Sequence, residues 1–179
     1  MRTVLLLLAV QAVVGAFDTL WYHEFKGRLP ARPEVRRELR LHAARDVVYA
    51  VIFGTLPWVA WHGAWAYVLA AGLAAEIVVT CLDFVTEDRV RRVSPGERVT
   101  HAVMGVVYGA MLAHLTPLLL DWSVAPTALA AHDPGLPTAV KVALSLLGVG
   151  TLASGARDLY ATTDRAGHAW PWPPAAGRA

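Results

Sequence analysis

The chain has 179 residues, of which 56% are hydrophobic and 17% are charged, and its mean hydropathy is +0.44. These values exclude an ordinary soluble domain, in which about 25% of the residues are charged. The formal net charge of +2 is too small to indicate a nucleic-acid partner. The single cysteine, Cys81, excludes an internal disulfide, and we expect it to be a small buried apolar residue.

Five segments predict helices that cross a membrane, because each contains an apolar run that approaches the ~20 residues needed for a bilayer. In chain order they are residues 3–22, 33–61, 64–89, 95–120 and 138–160. The second begins at Pro33 in a charged stretch and becomes apolar after Asp46. The fourth follows a helix-start signal, in which Ser94 is the cap and Glu97 stands three residues later. We expect residues 121–137 to form an irregular loop.

The charges of the connections predict the orientation in the membrane. Seven Lys and Arg residues lie between Lys26 and Arg45, and four lie between Arg89 and Arg98, whereas the other two connections have none. The positive-inside rule places both basic connections in the cytoplasm. We therefore predict an all-α integral membrane bundle of about five spans in the inner (plasma) membrane, with the N-terminus outside. Residues 1–160 form its single domain, and residues 161–179 form a flexible, Pro-rich cytoplasmic tail.

Acidic and histidine side chains recur on one face of several helices, near the predicted cytoplasmic ends. Spacings of three and four residues place side chains on one face, because an α-helix turns once in about 3.6 residues. The faces comprise Glu38, His42, Asp46 and Tyr49; Glu76, Thr80, Asp83 and Glu87; and Glu97, His101, Gly105 and Tyr108. The first helix ends with Asp18, Tyr22, His23 and Glu24. Four helix ends therefore bring three histidines to one level with several carboxylates.

This pattern predicts a metal site, since carboxylates on one face repel each other unless positive charge lies between them. Imidazole and carboxylate together suit iron, zinc or manganese, and both project inward in di-iron bundles. The excess of carboxylate favours iron or manganese, while zinc and a dinuclear centre stay open. The expected ligands are His23, Glu24, His42, Asp46, Asp83, Glu87 and His101.

The preferred function is a metal-dependent membrane enzyme that acts on a lipid or another apolar substrate. Glu76 lies about two turns deeper than Asp83 and would be a buried acid or base, with Tyr49 and Tyr108 as hydrogen-bond donors near it. Iron would support oxidative chemistry, and zinc would activate water for hydrolysis. The alternatives are a proton- or ion-coupled transporter that uses Glu76, and a structural subunit whose acids are held by arginines. The sequence indicates the lipid bilayer as a partner and leaves the oligomeric state open.

Several of these acids also have simpler interpretations. Glu97 fits a capping box with Ser94, and this role does not exclude a second one. Glu24 and Glu38 lie in a basic stretch, in which solvated ion pairs are expected.

The segments FDTLWYHE, RRELRLHAARD and DFVTEDR…ERVTH resemble those of a family of small bacterial multi-pass membrane proteins of uncharacterised activity. The likeness covers roughly residues 15 to 120 and implies that the four-helix polar cluster is the core of that family. It implies no activity. The histidine clusters of membrane desaturases are absent, and Glu97 and His101 are one residue further apart than in the E-x-x-H motif of oxidase-like bundles.

Overall fold

The computed structural model describes residues 1–173, which are mostly helical, with one short two-stranded ribbon and irregular connections. The elements are α1 (Arg2–Phe17, continued by a π-helix over Asp18–Gly27), α2 (Arg36–Thr55), β1 (Val59–His62), α3 (Ala64–Val90), α4 (Pro95–Ser123), β2 (Ala128–Ala131) and α5 (Thr138–Ala161). Two 3₁₀ turns, Leu29–Ala31 and Pro33–Val35, join α1 to α2. The prediction of an all-α protein with five helices is confirmed.

Four helices are long and apolar enough to cross a membrane, as expected for an integral membrane protein. They are Arg2–Gly27, Ala64–Val90, Pro95–Ser123 and Thr138–Ala161. Among the described residues, α2 does not join them, because its first half is charged and its apolar part begins only at Val47. On length and composition the structure therefore supports four of the five predicted spans.

The ends of two predicted elements differ from the expectation. α2 ends at Thr55 instead of continuing to Trp61, and Val59–His62 pairs antiparallel with Ala128–Ala131. Pro57 contributes to this early end, because it has no N–H to continue the helix. The segment expected to be an irregular loop consequently contains a strand. The capping box is confirmed: Ser94 Oγ accepts from the Glu97 amide and Glu97 Oε2 accepts from the Ser94 amide, both at 3.3 Å.

The helices separate an apolar region from a polar one along their length. α1 packs against α4, α2 packs against α3 and α5, and α3 also contacts α4. The main apolar core contains Leu5, Leu8, Ile52, Met111 and Leu115, which lie toward the end opposite the basic connections. The buried charged side chains lie toward the basic end. Cys81 is exposed on α3, so the prediction that it is buried was wrong.

The described part of the tail folds back onto the basic end. Trp172 Nε1 donates to Glu24 Oε2 at 2.9 Å, and the Arg28 guanidinium lies 4.9 Å from the centre of the Trp172 ring. Residues 174–179, the last part of the expected flexible tail, lie outside the described residues.

Two glycines allow α5 to approach α2 closely. A Cβ at Gly148 would lie 3.0 Å from Phe53 Cβ and 3.1 Å from the Ala50 carbonyl oxygen. A Cβ at Gly155, seven residues later on α5, would lie 2.9 Å from Asp46 Cβ. The absence of a side chain at these positions therefore sets the distance between the two helices.

Replacing Gly148 by valine is expected to lower the stability of the detergent-solubilised protein by about 1–3 kcal/mol, the usual cost of overpacking. Thermal unfolding followed by tryptophan fluorescence measures the change. Gly72→Val is the matched control, because a Cβ at Gly72 meets no atom within 4 Å. Equal melting temperatures for the two variants would show that the close α2–α5 contact does not depend on Gly148.

Candidate metal centre

Buried polar side chains form two layers across α1, α2, α3 and α4. The histidine layer contains Asp18, His42, Asp83 and His101, and the tyrosine layer contains Gln11, Tyr49, Glu76 and Tyr108. On every one of the four helices the two members are seven residues apart. Seven residues are close to two helical turns, or about 10 Å, so the layers are parallel and their members point into the same space.

A π-helix adds a third histidine to the histidine layer. In an α-helix, residues five apart point about 140° away from each other. Over Asp18–Gly27 the backbone is π-helical, with i→i+5 hydrogen bonds, which brings Asp18 and His23 to the same side. His23 Nε2 consequently lies 3.2 Å from Asp18 Oδ2.

The three imidazoles lie against one another and against the carboxylates. The rings of His23 and His42 are stacked, with centroids 4.6 Å apart, and His101 Nε2 lies 3.3 Å from Asp18 Oδ2. His42 Nε2 lies 3.1 Å from Asp83 Oδ2 and 4.0 Å from Glu87 Oε1. Two helix faces predicted to converge, those of α2 and α3, thus meet at His42.

Two groups of side chains have the spacing that a metal ion requires. The first is Asp18, His23 and His101, and the second is His23, His42 and Glu87. In each group one possible ligand atom from every residue lies within 4.8 Å of the other two, and all five residues are buried. Each group has two imidazoles and one carboxylate, and His23 belongs to both. The geometry therefore defines one continuous cluster around His23.

Several buried atoms of this cluster have no hydrogen-bond partner among the described residues. They are Asp18 Oδ1, Asp83 Oδ1 and Glu87 Oε1; His23 Nε2 and His42 Nε2 also make no well-aligned hydrogen bond, although carboxylate oxygens lie 3.2 Å and 3.1 Å from them. Buried polar atoms in native proteins nearly always have a partner, so a group of unpartnered ones requires a specific explanation. Protons on the imidazoles would satisfy part of this set, and a cation that accepts electron pairs from both nitrogen and oxygen atoms would satisfy all of it.

The buried charges do not balance in the histidine layer and in the region between it and the basic connections. Six buried carboxylates belong to Asp18, Glu38, Asp83, Glu87, Glu97 and Asp158. Within residues 1–173, three arginines lie within 4.0 Å of any of these carboxylates: Arg45, Arg91 and Arg157. With neutral histidines, an excess of three negative charges is buried where charge is costly. Part of that excess must be neutralised by bound protons or by a cation.

Arg91 pairs with the buried carboxylates that lie between the histidine layer and the basic connections. It lies between α3 and α4, and its guanidinium is 2.8 Å from Glu38, 2.7 Å from Glu97 and 3.5 Å from Glu87. Burial alone would lower the pKa of Arg91, but the hydrogen bonds to Glu97 and Glu38 outweigh it and raise the pKa above its usual range. Arg91 therefore stays charged. Glu38 is fully buried, so the expectation of a solvated ion pair was wrong for this residue.

The structure brings most of the predicted ligands together. His23, His42, Glu87 and His101 belong to the two groups, and Asp83 contacts His42 and Arg45. Glu24 is turned away: its carboxylate lies 2.9 Å from Arg157 Nη1 and accepts a hydrogen bond from Trp172. Asp46 is partly buried where α2 approaches Gly155 and lies outside both groups.

Three residues of the cluster were not predicted as ligands or partners. Asp18 was overlooked because five-residue spacing is unfavourable in an α-helix. Asp158 lies 3.6 Å from His42 Nδ1 and is the one acid of α5. An acid in an otherwise apolar helix could have indicated that this residue belongs to the cluster. Arg91 was interpreted only as a charge that sets the orientation.

The tyrosine layer lies at one side of a large cavity. Thr80 Oγ1 donates to Glu76 Oε1 at 2.8 Å, as the shared helix face predicts, and Gln11 Nε2 donates to the Tyr49 hydroxyl at 3.1 Å. The cavity has a volume of about 550 Å³ and is lined by residues of all five helices. It reaches Asp18 and His101, so it connects the tyrosine layer with the candidate metal centre.

No family model, curated protein or solved structure matches the chain. The geometry of these side chains is therefore the basis for the function proposed below.

Replacing Arg91 by methionine is expected to destabilise the protein by about 3–5 kcal/mol, because Glu38 and Glu97 would remain buried without a partner. Chemical unfolding in detergent measures the change. Arg98→Met is the matched control, since the bridge from Arg98 to Asp88 is exposed and contributes at most about 1 kcal/mol. A similarly small effect of both variants would contradict a structural role for the Arg91 pairs.

Proposed function

We propose that the protein is a membrane-embedded, metal-dependent enzyme whose ion is bound in the histidine layer. The observation that carries this proposal is the meeting of three buried histidines and two carboxylates, in which Asp18 Oδ1 and Glu87 Oε1 lack hydrogen-bond partners among the described residues. A dication there would lower the buried negative charge and give these atoms a partner. The arginines within 4.0 Å of these carboxylates among residues 1–173 are too few to do this, so the alternative to a metal ion is protonation of the histidines.

The donor set favours iron. Two imidazoles and one carboxylate, with open positions, are typical of non-haem iron(II) enzymes, although zinc also takes this combination. His42 has the arrangement expected of a ligand: one ring nitrogen, Nε2, lies in the cluster, and the other, Nδ1, lies 3.6 Å from Asp158. A carboxylate in this position orients a metal-bound imidazole. Manganese and zinc are the outcomes that the test must separate from iron.

We further propose that the site lies at the cytoplasmic side of the inner membrane. The support is the charge of the two connections beside the histidine layer, which together hold eleven Lys and Arg residues from Lys26 to Arg45 and from Arg89 to Arg98. In this arrangement α2 is the fifth span, with α3 and α5 packed against it. Its charged half would lie at the depth of the lipid headgroups.

The reaction that fits this position is oxidative chemistry on a lipid or another apolar molecule. Glu76, buried and about 10 Å from the histidine layer, would hold or donate a proton in the same cavity. The oxidant and any reductant for this reaction would have to be supplied from outside the chain.

A structural subunit is the second candidate, and the contacts of Arg91 with three carboxylates favour it. In that case the histidines would be protonated and would form ion pairs with the surrounding acids. The two candidates differ in metal content, which is the decisive quantity.

Protein purified in mild detergent without chelator is expected to contain about one iron ion per chain. The variants His42→Ala and His101→Ala are expected to lose at least tenfold of it, as removal of a ligand requires. Mass spectrometry of the metals measures the content. His114→Ala is the matched control, because His114 is an exposed histidine on the same helix as His101.

Folded protein that binds neither iron, zinc nor manganese, even after incubation with each ion, would reject the enzyme and support the structural network. Equal metal content in His101→Ala and His114→Ala would place the ion elsewhere.

A further inference from the structure

The cavity between the two polar layers has the properties of a binding site for an apolar molecule. Its volume of about 550 Å³ lies within the range of ligand pockets, about 300–1,000 Å³. Its walls are largely apolar and include Ala12, Phe53, Ile77, Met104 and Leu112. A molecule in the cavity would therefore be surrounded mostly by hydrocarbon.

The cavity opens sideways, toward the region that lipid would occupy. Ile77 and Cys81 of α3 and Gly105 and Gly109 of α4 line it and are exposed. Each of them is nine or more residues from either end of its helix, so the opening is near the middle of the apolar spans. An apolar molecule could enter from the membrane without crossing water.

One polar atom at the tyrosine layer lacks a partner. Gln11 is more than nine-tenths buried and lines the cavity, and its Oε1 accepts no hydrogen bond from the described residues. Gln11 Nε2 donates to the Tyr49 hydroxyl, so Oε1 is the amide atom left without a partner. A buried carbonyl oxygen without a donor is costly, so a donor from a ligand would stabilise this layer.

Glu76 is a second hydrogen-bond acceptor at this level of the cavity. Its carboxylate is buried beside the cavity, accepts a hydrogen bond from Thr80, lies within hydrogen-bond reach of the Tyr49 and Tyr108 hydroxyls, and forms no salt bridge within residues 1–173. Two acceptors, an amide oxygen and a carboxylate, therefore lie at the same level of the cavity. A ligand group that donates O–H or N–H hydrogen bonds fits them, whereas a carboxylate head group would be repelled.

From these observations we infer that the cavity binds a single-chain amphiphile whose head group donates hydrogen bonds, an alcohol or an amine, to Gln11 and Glu76. The apolar chain lies between the layers and extends toward Asp18 and His101. The binding is inferred from the cavity and its polar atoms and does not require the metal. Its interpretation as the substrate class rests on the proposed enzyme, because the distance of about 10 Å between the layers would select the carbon presented to the metal centre.

Binding can be measured with labelled 1-hexadecanol, hexadecylamine and hexadecyl methyl ether, a matched compound that cannot donate a hydrogen bond. Purified full-length protein is incubated with each compound, and the label that remains after gel filtration is counted. About one hexadecanol or hexadecylamine per chain is expected, with at least tenfold less ether. The comparison of alcohol and amine identifies which head group the site prefers.

Gly105→Leu fills the cavity without a clash, because a Cβ at Gly105 meets no atom within 4 Å. It is expected to reduce retained alcohol or amine at least tenfold, and Gly109→Leu is a second variant of the same kind. A Cβ at Gly72 also meets no atom within 4 Å, but Gly72 does not line the cavity. Gly72→Leu should therefore retain as much alcohol or amine as the wild type. Gln11→Leu is expected to reduce binding of the alcohol about tenfold, toward that of the ether.

Equal retention by wild type and both cavity variants, or equal retention of alcohol, amine and ether, would overturn the inference. Metal content is measured on the same samples, and Gly105→Leu should keep its metal. Ligand binding without metal would reject the proposed enzyme alone, and metal without ligand binding would reject this inference alone.

Discussion

The rest of this structure depends on one constraint: six carboxylates are buried at one end of an assembly of apolar helices. Charged side chains in such surroundings are stable only when opposite charge and hydrogen-bond donors surround them. Arg91 meets this need for Glu38 and Glu97, but no arginine lies within 4.0 Å of Asp18 among residues 1–173. The cluster around His23 is the place where the deficit of positive charge remains. Protons on the histidines or a bound metal ion would remove it.

Several features of the backbone position the side chains of this cluster. The π-helix at the end of α1 places Asp18 and His23 side by side, and such segments occur frequently at functional sites. Gly155 lets α5 approach α2, so that Asp158 reaches His42. The capping box at Ser94 fixes the start of α4, and Glu97, one of its members, also holds Arg91. Local conformation and ion pairing thus depend on the same side chains.

The seven-residue separation between the two polar layers also bears on function. On all four helices it connects a residue near the metal centre with one beside the cavity. A residue placed one helical turn earlier or later on any of these helices would lie outside its layer. The proposed enzyme would use this fixed distance to act at one position of a bound chain.

The sequence predicted the helices and most of the cluster, because apolar runs and three- and four-residue spacings report directly on α-helices. His42, Asp83, Glu87 and His101 were found in this way. Asp18 was not, since its contact with His23 requires a π-helix, which the α-helical periodicity does not indicate. The turn of Glu24 toward Arg157 and Trp172 depends on the fold of the tail and could not be read from local spacing. The cavity, likewise, results from how five helices pack, and no single segment encodes it.

The most direct test of the metal centre is X-ray absorption at the edge of the metal that copurifies with the protein. The account predicts nitrogen and oxygen ligands at about 2.0–2.2 Å, including the scattering pattern of at least two imidazole rings, and the loss of part of that pattern in His42→Ala. A spectrum with oxygen ligands alone, identical in wild type and His42→Ala, would contradict it.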